Sequence, residues 1–371
     1  MSGRFLRLAC TAAVAAQAVL APSPAFAAPA PVQSVAELLT DLQQAYQQAE
    51  QATETYNATA ERLQRQRAEV TRLDDELAIA RRSLHASRTE AGRLARQQYQ
   101  NAGSLSPYLR LLLARDPQHA LDEGHVIGEL ARERAKTVGR LTDEERNQAD
   151  LARRARAALD TRLALAEKQR KQRDEVRTRL SDVERMLVSL TADQLTAIAD
   201  LEKAKTADAQ RKLTTSGALS STTTPPSPAG DRAVRYAVRQ LGKPYQWGAA
   251  GPVSYDCSGL TSQAWGHAGT PIPRTSQEQW AHLPHVPLNH LRPGDLVVYF
   301  PEATHVALYL GDGKVVQAPR PGAKIKVSPI AANPILGAVR PDPTAASLPR
   351  YTPPAIPKTA TEGSDEVFGT L

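Results

Sequence analysis

The sequence predicts two structural classes in one chain: an N-terminal all-α antiparallel coiled-coil hairpin, then a small α+β domain. Three observations carry this. Apolar residues recur every seven positions from Val35 onward. A Ser/Thr/Pro-rich segment then interrupts the chain. Beyond it glycine, tryptophan and β-branched residues appear, and short apolar runs replace the helical period. Composition agrees: 41% of the 371 residues are hydrophobic but only 5% are aromatic. That suits one modest core beside a long helical region better than one large core.

The first residues read as an export signal. Arg4 and Arg7 precede an apolar stretch from Leu8 to Ala21, and Ala25-Phe26-Ala27 supplies a small-residue cleavage pattern. Residues 1–27 are therefore expected to be a signal peptide, and the protein to be secreted. The apolar run is too short for a membrane span. Of the two cysteines, Cys10 would leave with the signal and Cys257 would remain alone. A lone exported cysteine has no internal disulfide partner.

Residues 28–212 are expected to form the hairpin. One seam set is Val35, Leu42, Ala49, Tyr56, Leu63, Val70, Leu77, Leu84 and Ala91, interrupted by Gln66 and Ser87. The repeat breaks near Asn101, and prolines and glycines at 107–128 mark a tip carrying Leu109, Leu111, Leu112 and Leu113. A second stripe runs through Val176, Leu180, Val183, Leu187, Leu190, Ala197 and Leu201 to about Lys212. An antiparallel pair is the simplest arrangement; a parallel dimer of long helices is the alternative. The leucines at the tip have no evident seam partner, so a membrane protein docking there is one partner the pattern suggests; packing within the hairpin is the other reading.

Residues 213–229 read as a flexible linker, 230–340 as the α+β domain, and 341–371 as a disordered Pro-rich tail. Helices are expected after Asp231 and from about Asp256 to His267. Strands are expected at 296–300, 305–310, 314–318, 324–327 and 335–339. The net charge of +7 suits an anionic polymer but does not choose among nucleic acid, lipid and wall polymers.

Chemistry concentrates around Cys257, in YDCSGL at 255–260. A cysteine opening a helix faces the positive end of the helix dipole and unpaired N–H groups, which lowers its pKa and can hold an oxyanion. A thiolate nucleophile needs a base. His305 opens HVALYLGDG, where Val306, Leu308 and Leu310 alternate toward the core. If the hairpin centres near Gly311, Gln317 becomes its cross-strand neighbour and orients the imidazole; a one-residue slip would put it on the wrong face. His282, His285 and His290 lack metal-ligand spacing and read as solvated loop residues. No metal or organic cofactor is expected.

Four blocks resemble the NlpC/p60 cysteine peptidases: LGKPYQWGAAGPVSYDCSGL (241–260), PRTSQEQW (273–280), LRPGDLVVYF (291–300) and HVALYLGDGKVVQAPRPG (305–322). The resemblance implies a papain-like α+β fold. It also implies hydrolysis of peptidoglycan stem peptides, usually at the bond from the D-glutamate γ-carboxyl to a diamino acid. It places the nucleophile on Cys257, the base on His305 and the third polar residue on Gln317, where many members carry histidine. It implies an oxyanion role for Tyr245 and substrate contacts for Asp256, Ser258 and Arg274. Trp247 reads as packing.

The expected function is a wall-associated thiol endopeptidase with peptidoglycan, not nucleic acid, as its partner. The alternatives are a catalytically silent coiled-coil adaptor of another hydrolase, or a wall amidase. The helical arm and linker also allow the arm to fold over the catalytic cleft.

Overall fold

The computed structural model describes residues 33–101, 107–113, 116–219, 224–357 and 360. The segment expected to be a signal peptide, with Cys10, lies outside the described residues, as do 220–223 of the expected linker and 361–371 of the tail. No described helix is long and apolar enough to cross a membrane.

Helix α1 runs from Val35 to Asn101, α2 from Pro107 to Leu112 and α3 from Pro117 to Ser189. At 1.5 Å rise per residue α1 is about 100 Å long. Asp116 starts α3: its side chain accepts from the Gln118 and His119 N–H groups, and Pro117 occupies the first turn, where it costs no hydrogen bond. α1 and α3 run antiparallel. Gln66 Nε2 donates to the Ala158 carbonyl at 3.0 Å, Ser83 Oγ to Glu144 at 2.9 Å and Arg179 Nη1 to Gln48 at 3.1 Å, so residue numbers fall on one helix as they rise on the other. Val70, Leu73, Leu77 and Ala80 pack against Leu151, Ala155 and Ala158. Of the two polar breaks in the seam, Gln66 is satisfied across it as above, and the buried Ser87 lies near Glu144, whose pKa it helps to lower.

The second helical stretch is not continuous to Lys212. It stops at Leu190, and α4 (Ala192–Thr215) restarts behind a capping box in which Thr191 and Gln194 bond each other's backbone N–H. The break folds α4 back, so that Ile198 joins Leu38, Leu39, Leu42, Tyr46, Val183 and Leu187 in a small base cluster.

The head begins with α5 (Pro228–Val238), capped by Ser227 rather than Asp231. Next come α6 (Cys257–His267), α7 (Ser276–His282) and strands β1 (His285–Val286), β2 (Leu296–Tyr299), β3 (His305–Gly311), β4 (Lys314–Gln317), β5 (Lys326–Pro329) and β6 (Ile335–Val339). The sheet order is β1-β6-β2-β3-β4-β5, with antiparallel neighbours throughout. Both faces are covered, so every residue of β3 is buried. Val306, Leu308 and Leu310 join the helices α5 and α6 on one side. Ala307 and Tyr309 lie on the other, with Leu213 of α4 and Leu219, four residues past its end, packed against them. The strand expected at 324–327 starts at Lys326 instead, because Lys324 makes an isolated bridge to Pro244.

Where the sequence predicts a disordered tail, residues 341–357 lie along the head. Arg292 pairs with Asp342 at 2.9 Å and donates to the Ala345 carbonyl, the Leu348 N–H donates to Pro226, and Arg235 donates to the Thr352 carbonyl. Asp342 also accepts from Ser227, which ties the tail to the start of α5. At the hairpin tip Leu109, Leu112, Leu113 and Leu121 are exposed.

Candidate functional site

Cys257 is the first residue of α6. Asp256 caps that helix, accepting from the Gly259 N–H at 2.6 Å. The YDCSG turn needs glycine at its last position: a Cβ on Gly259 would lie 2.2 Å from the Ala249 carbonyl oxygen, well inside contact distance. The backbone N–H of Val306 lies close enough to the thiol to oppose the rise in its pKa, so Cys257 sits beside the start of β3. His305, the first residue of that strand, is wholly buried.

Gln317 reaches His305 by a register other than a simple hairpin. Leu308 sits opposite Val316, with an irregularity between Tyr309 and Gly311. Gln317 therefore falls two positions from the point directly across from His305, on the same face of the sheet. Its Oε1 lies 2.7 Å from His305 Nε2, and its Nε2 donates to Ser328 Oγ at 2.8 Å. That leaves Nδ1 as the ring nitrogen able to exchange a proton with a thiol.

Asp256, Ser258 and Arg274 form one cluster. Arg274 spans both Asp256 oxygens at 3.0 and 2.7 Å and donates to Ser258 Oγ at 2.8 Å. Tyr245 is buried nearby, and burial, with the neighbouring Glu50, Asp256 and Glu54 adding to it, holds its hydroxyl protonated. Trp247 meets Tyr56 of α1 edge to face at 5.2 Å. His285 instead stacks on Trp280 at 4.0 Å, and among the described residues no three His, Cys, Asp or Glu side chains cluster as metal ligands.

The largest addition to the site comes from 200 residues upstream. Glu50, Glu54 and Asn57, on one face of α1, fill the cleft. Glu54 is 1% exposed. Its Oε1 accepts from Ser258 Oγ at 2.7 Å and lies 3.9 Å from Cys257 Sγ, while its Oε2 accepts from the Ser276 N–H at 2.7 Å. Asn57 Nδ2 donates to Asp256 at 3.0 Å. Glu50 Oε1 lies 3.2 Å from His305 Nδ1, near enough to pair by charge but not aligned as a hydrogen bond. Each of Cys257, His305, Asp256 and Ser258 is thus met by a side chain of one helical face. A residue-level signal existed: between Leu42 and Leu63 the α1 sequence holds no Leu, Ile, Val, Met or Phe, only alanines and two tyrosines among polar residues. A seam so thin there meets α3 through polar contacts such as Gln48 with Arg179, and leaves a second face of that stretch for another partner.

This arrangement reverses the expectation for the thiol. Burial pushes the Cys257 pKa well above its ordinary value, and the charges of Glu54, Asp256 and Glu50 push it further; the Val306 N–H opposes them and loses. Burial works against a charged His305, but Glu50 and Gln317 outweigh it and raise the imidazole pKa. Helix position alone predicts a thiolate; the covered cleft holds a neutral thiol.

The model of the NlpC/P60 family matches residues 242–337. Over 94 residues the chain is 46% identical to a probable endopeptidase of Corynebacterium glutamicum, covering 25% of this chain and 45% of that protein. Over 119 residues it is 38% identical to a probable endopeptidase of Mycobacterium tuberculosis, covering 31% of each. It is also 38% identical to the peptidoglycan endopeptidase RipA of Mycolicibacterium smegmatis, covering 27% of this chain and 24% of that protein. The chain spans less than half the length of these curated relatives. Among solved structures, the NlpC/p60 domain of the peptidoglycan hydrolase SagA is 30% identical, covering 30% of this chain and 97% of that one at a TM-score of 0.29. The chain therefore carries, at residues 242–337, a domain of the NlpC/P60 family.

Proposed function

We propose that the chain is a secreted, wall-associated peptidoglycan hydrolase that cuts stem peptides by a cysteine–histidine mechanism, at the bond between the D-glutamyl γ-carboxyl and a diamino acid. The observation that carries this reading is local: a thiol at the start of α6, and an imidazole whose Nε2 is held by Gln317 while Nδ1 stays available. In the uncovered cleft Cys257 passes its proton to His305 and attacks the amide carbonyl. The N–H groups at the start of α6, with the Tyr245 hydroxyl, stabilise the oxyanion. His305 returns the proton to the departing amine, and water then releases the acyl group from Cys257. Asp256, Ser258 and Arg274 hold the substrate beside the nucleophile. The seat that Glu54 occupies, made of the Ser258 hydroxyl, the Ser276 N–H and the nearby Arg274 guanidinium, suits a carboxylate. That matches an acidic peptide.

The test is digestion of purified wall, with products read by mass spectrometry. The expected products carry a new D-glutamyl γ-carboxyl terminus and a free diamino-acid amine, and Cys257→Ala abolishes them. Free lactyl-muramic acid would mean an amidase instead. Unchanged lysis by Cys257→Ala would remove the enzyme reading.

A further inference from the structure

We propose that α1 is a proton-coupled plug: seating its Glu50, Glu54 and Asn57 face in the cleft takes up protons, and raising the pH drives it out. The proposal concerns regulation of the same cleft and rests on the hydrolase reading above.

The charge inventory of the closed cleft makes the case. Three carboxylates face one another there: Glu50 and Glu54 from α1, and Asp256 from the cap of α6. Among the described residues the permanent cation facing them is Arg274, which is already spanned by Asp256. The remaining groups are the His305 imidazole, the Cys257 thiol and the Tyr245 hydroxyl. With all carboxylates ionised and the imidazole neutral, the sealed cleft would hold two uncompensated negative charges away from water. Such a site relieves itself by binding protons. Glu54 is where this falls first: burial, then Asp256, raise its pKa to about 7, against the opposition of Arg274, Ser258 and the Ser276 N–H. His305 moves in the same direction, toward its charged form beside Glu50. When α1 leaves, Glu54 returns to water and to an ordinary carboxylate pKa.

The sign follows. A group whose pKa is higher in the closed form stabilises that form fully below its open-form pKa, and loses this effect as pH rises to the closed-form value. For Glu54 that window runs from 4.5 up to about 7. Across it, the opening equilibrium gains up to about tenfold per pH unit, because one proton is released per opening. Above it the Glu54 contribution levels off. The arm thus holds the enzyme shut in mildly acidic surroundings and frees it near neutrality.

The experiment uses the full chain and a pyridyl disulfide, which labels thiols under acidic conditions, with Cys257 labelling assigned by peptide mass spectrometry. Labelling rates are compared from pH 5 to 8 between wild type and Glu54→Gln. The open cleft is chemically alike in the two proteins, so the ratio of their rates isolates the titration of Glu54. The expected ratio of wild type to variant rises roughly tenfold per pH unit up to about 7, then levels. A ratio that does not change with pH overturns the proposal. Asn57→Ala, which loses a contact but no titrating group, should speed labelling by a constant factor at every pH; a changed slope would count against the assignment to Glu54. No substrate takes part, so this result is independent of the hydrolase reading, which stands or falls with wall lysis by Cys257→Ala.

Discussion

Helix α1 meets two different partners along its length, and the two contacts are built from opposite chemistry. Between Val70 and Leu84 it buries aliphatic side chains against α3. Between Gln47 and Ala60 it has no large aliphatic side chain and instead buries Glu50, Thr53, Glu54 and Asn57, with the two glutamates and the asparagine set against the head. The aliphatic contact gains from removing apolar surface from water and depends little on pH or salt. The polar contact gains from hydrogen bonds and charge, loses to desolvation, and comes out close to balance. A helix can therefore keep its place in the hairpin while its polar stretch lets go of the head. The difference separates scaffold from switch within one element.

Four variants sharpen or break that separation. The largest effect belongs to the scaffold: Leu73→Ala should cost about 2–5 kcal/mol of stability by thermal or denaturant unfolding, because it empties a packed, buried site. At temperatures where the variant is folded, Cys257 should label at the wild-type rate. Faster labelling would mean the two contacts are coupled. Next, at pH 6, Glu50→Ala with Glu54→Ala should raise the Cys257 labelling rate at least about tenfold, equivalent to roughly 1.4 kcal/mol, while the unfolding midpoint of the hairpin stays near wild type. A collapse of the hairpin would show these glutamates to be structural.

A smaller effect is expected from the opposite grip on the head. Gln210 of α4 donates to the Gly313 carbonyl and accepts from the Ala331 N–H, both at 3.1 Å, while Glu202 pairs with Arg320 at 3.0 Å. Gln210→Ala removes two hydrogen bonds of about 0.5–1.5 kcal/mol each, and should raise labelling several-fold by loosening the head. Labelling at the wild-type rate would show that this grip does not help hold the cleft against α1. The smallest effect is the control: Ile79 is 59% exposed on the outer side of α1, and Ile79→Ala should change stability by no more than about 0.5 kcal/mol.

Much of this could be read from the residues, and the failures have physical causes. Cys257, Asp256 and Ser258 sit in one short motif at a helix start, where capping and the placing of a thiol at the first turn are local properties. The hairpin announced itself through Leu63, Val70, Leu77 and Leu84. The break at Leu190 was hidden because Leu187, Leu190, Ala197 and Leu201 keep the seven-residue rhythm through it; the Thr191-x-x-Gln194 capping box was the legible clue. Gln317 reaches His305 through a strand irregularity that no spacing rule supplies. The tail order at Asp342 and Thr352 depends on Arg292 and Arg235, which lie 50 and 117 positions away. The contact of Glu54 with Ser258 spans 204 positions, and periodicity reports only local neighbours. Its one trace in the sequence was a negative one, the missing aliphatics between Leu42 and Leu63.

The thiol illustrates why that missing contact matters. Placement at the start of α6 argues for an acidic sulfur, yet in the closed cleft burial and three carboxylates argue more strongly for a neutral one. Reactivity here is set by what covers Cys257 as well as by where the backbone puts it.

Wall solubilisation by the intact chain, timed side by side with the Glu50→Ala, Glu54→Ala double variant at pH 6, puts this to the most direct trial. At least a tenfold faster release of soluble peptide is expected from the variant, roughly 1.4 kcal/mol of lost masking, and none once Cys257→Ala is added. Equal rates for the intact chain and the double variant would contradict it.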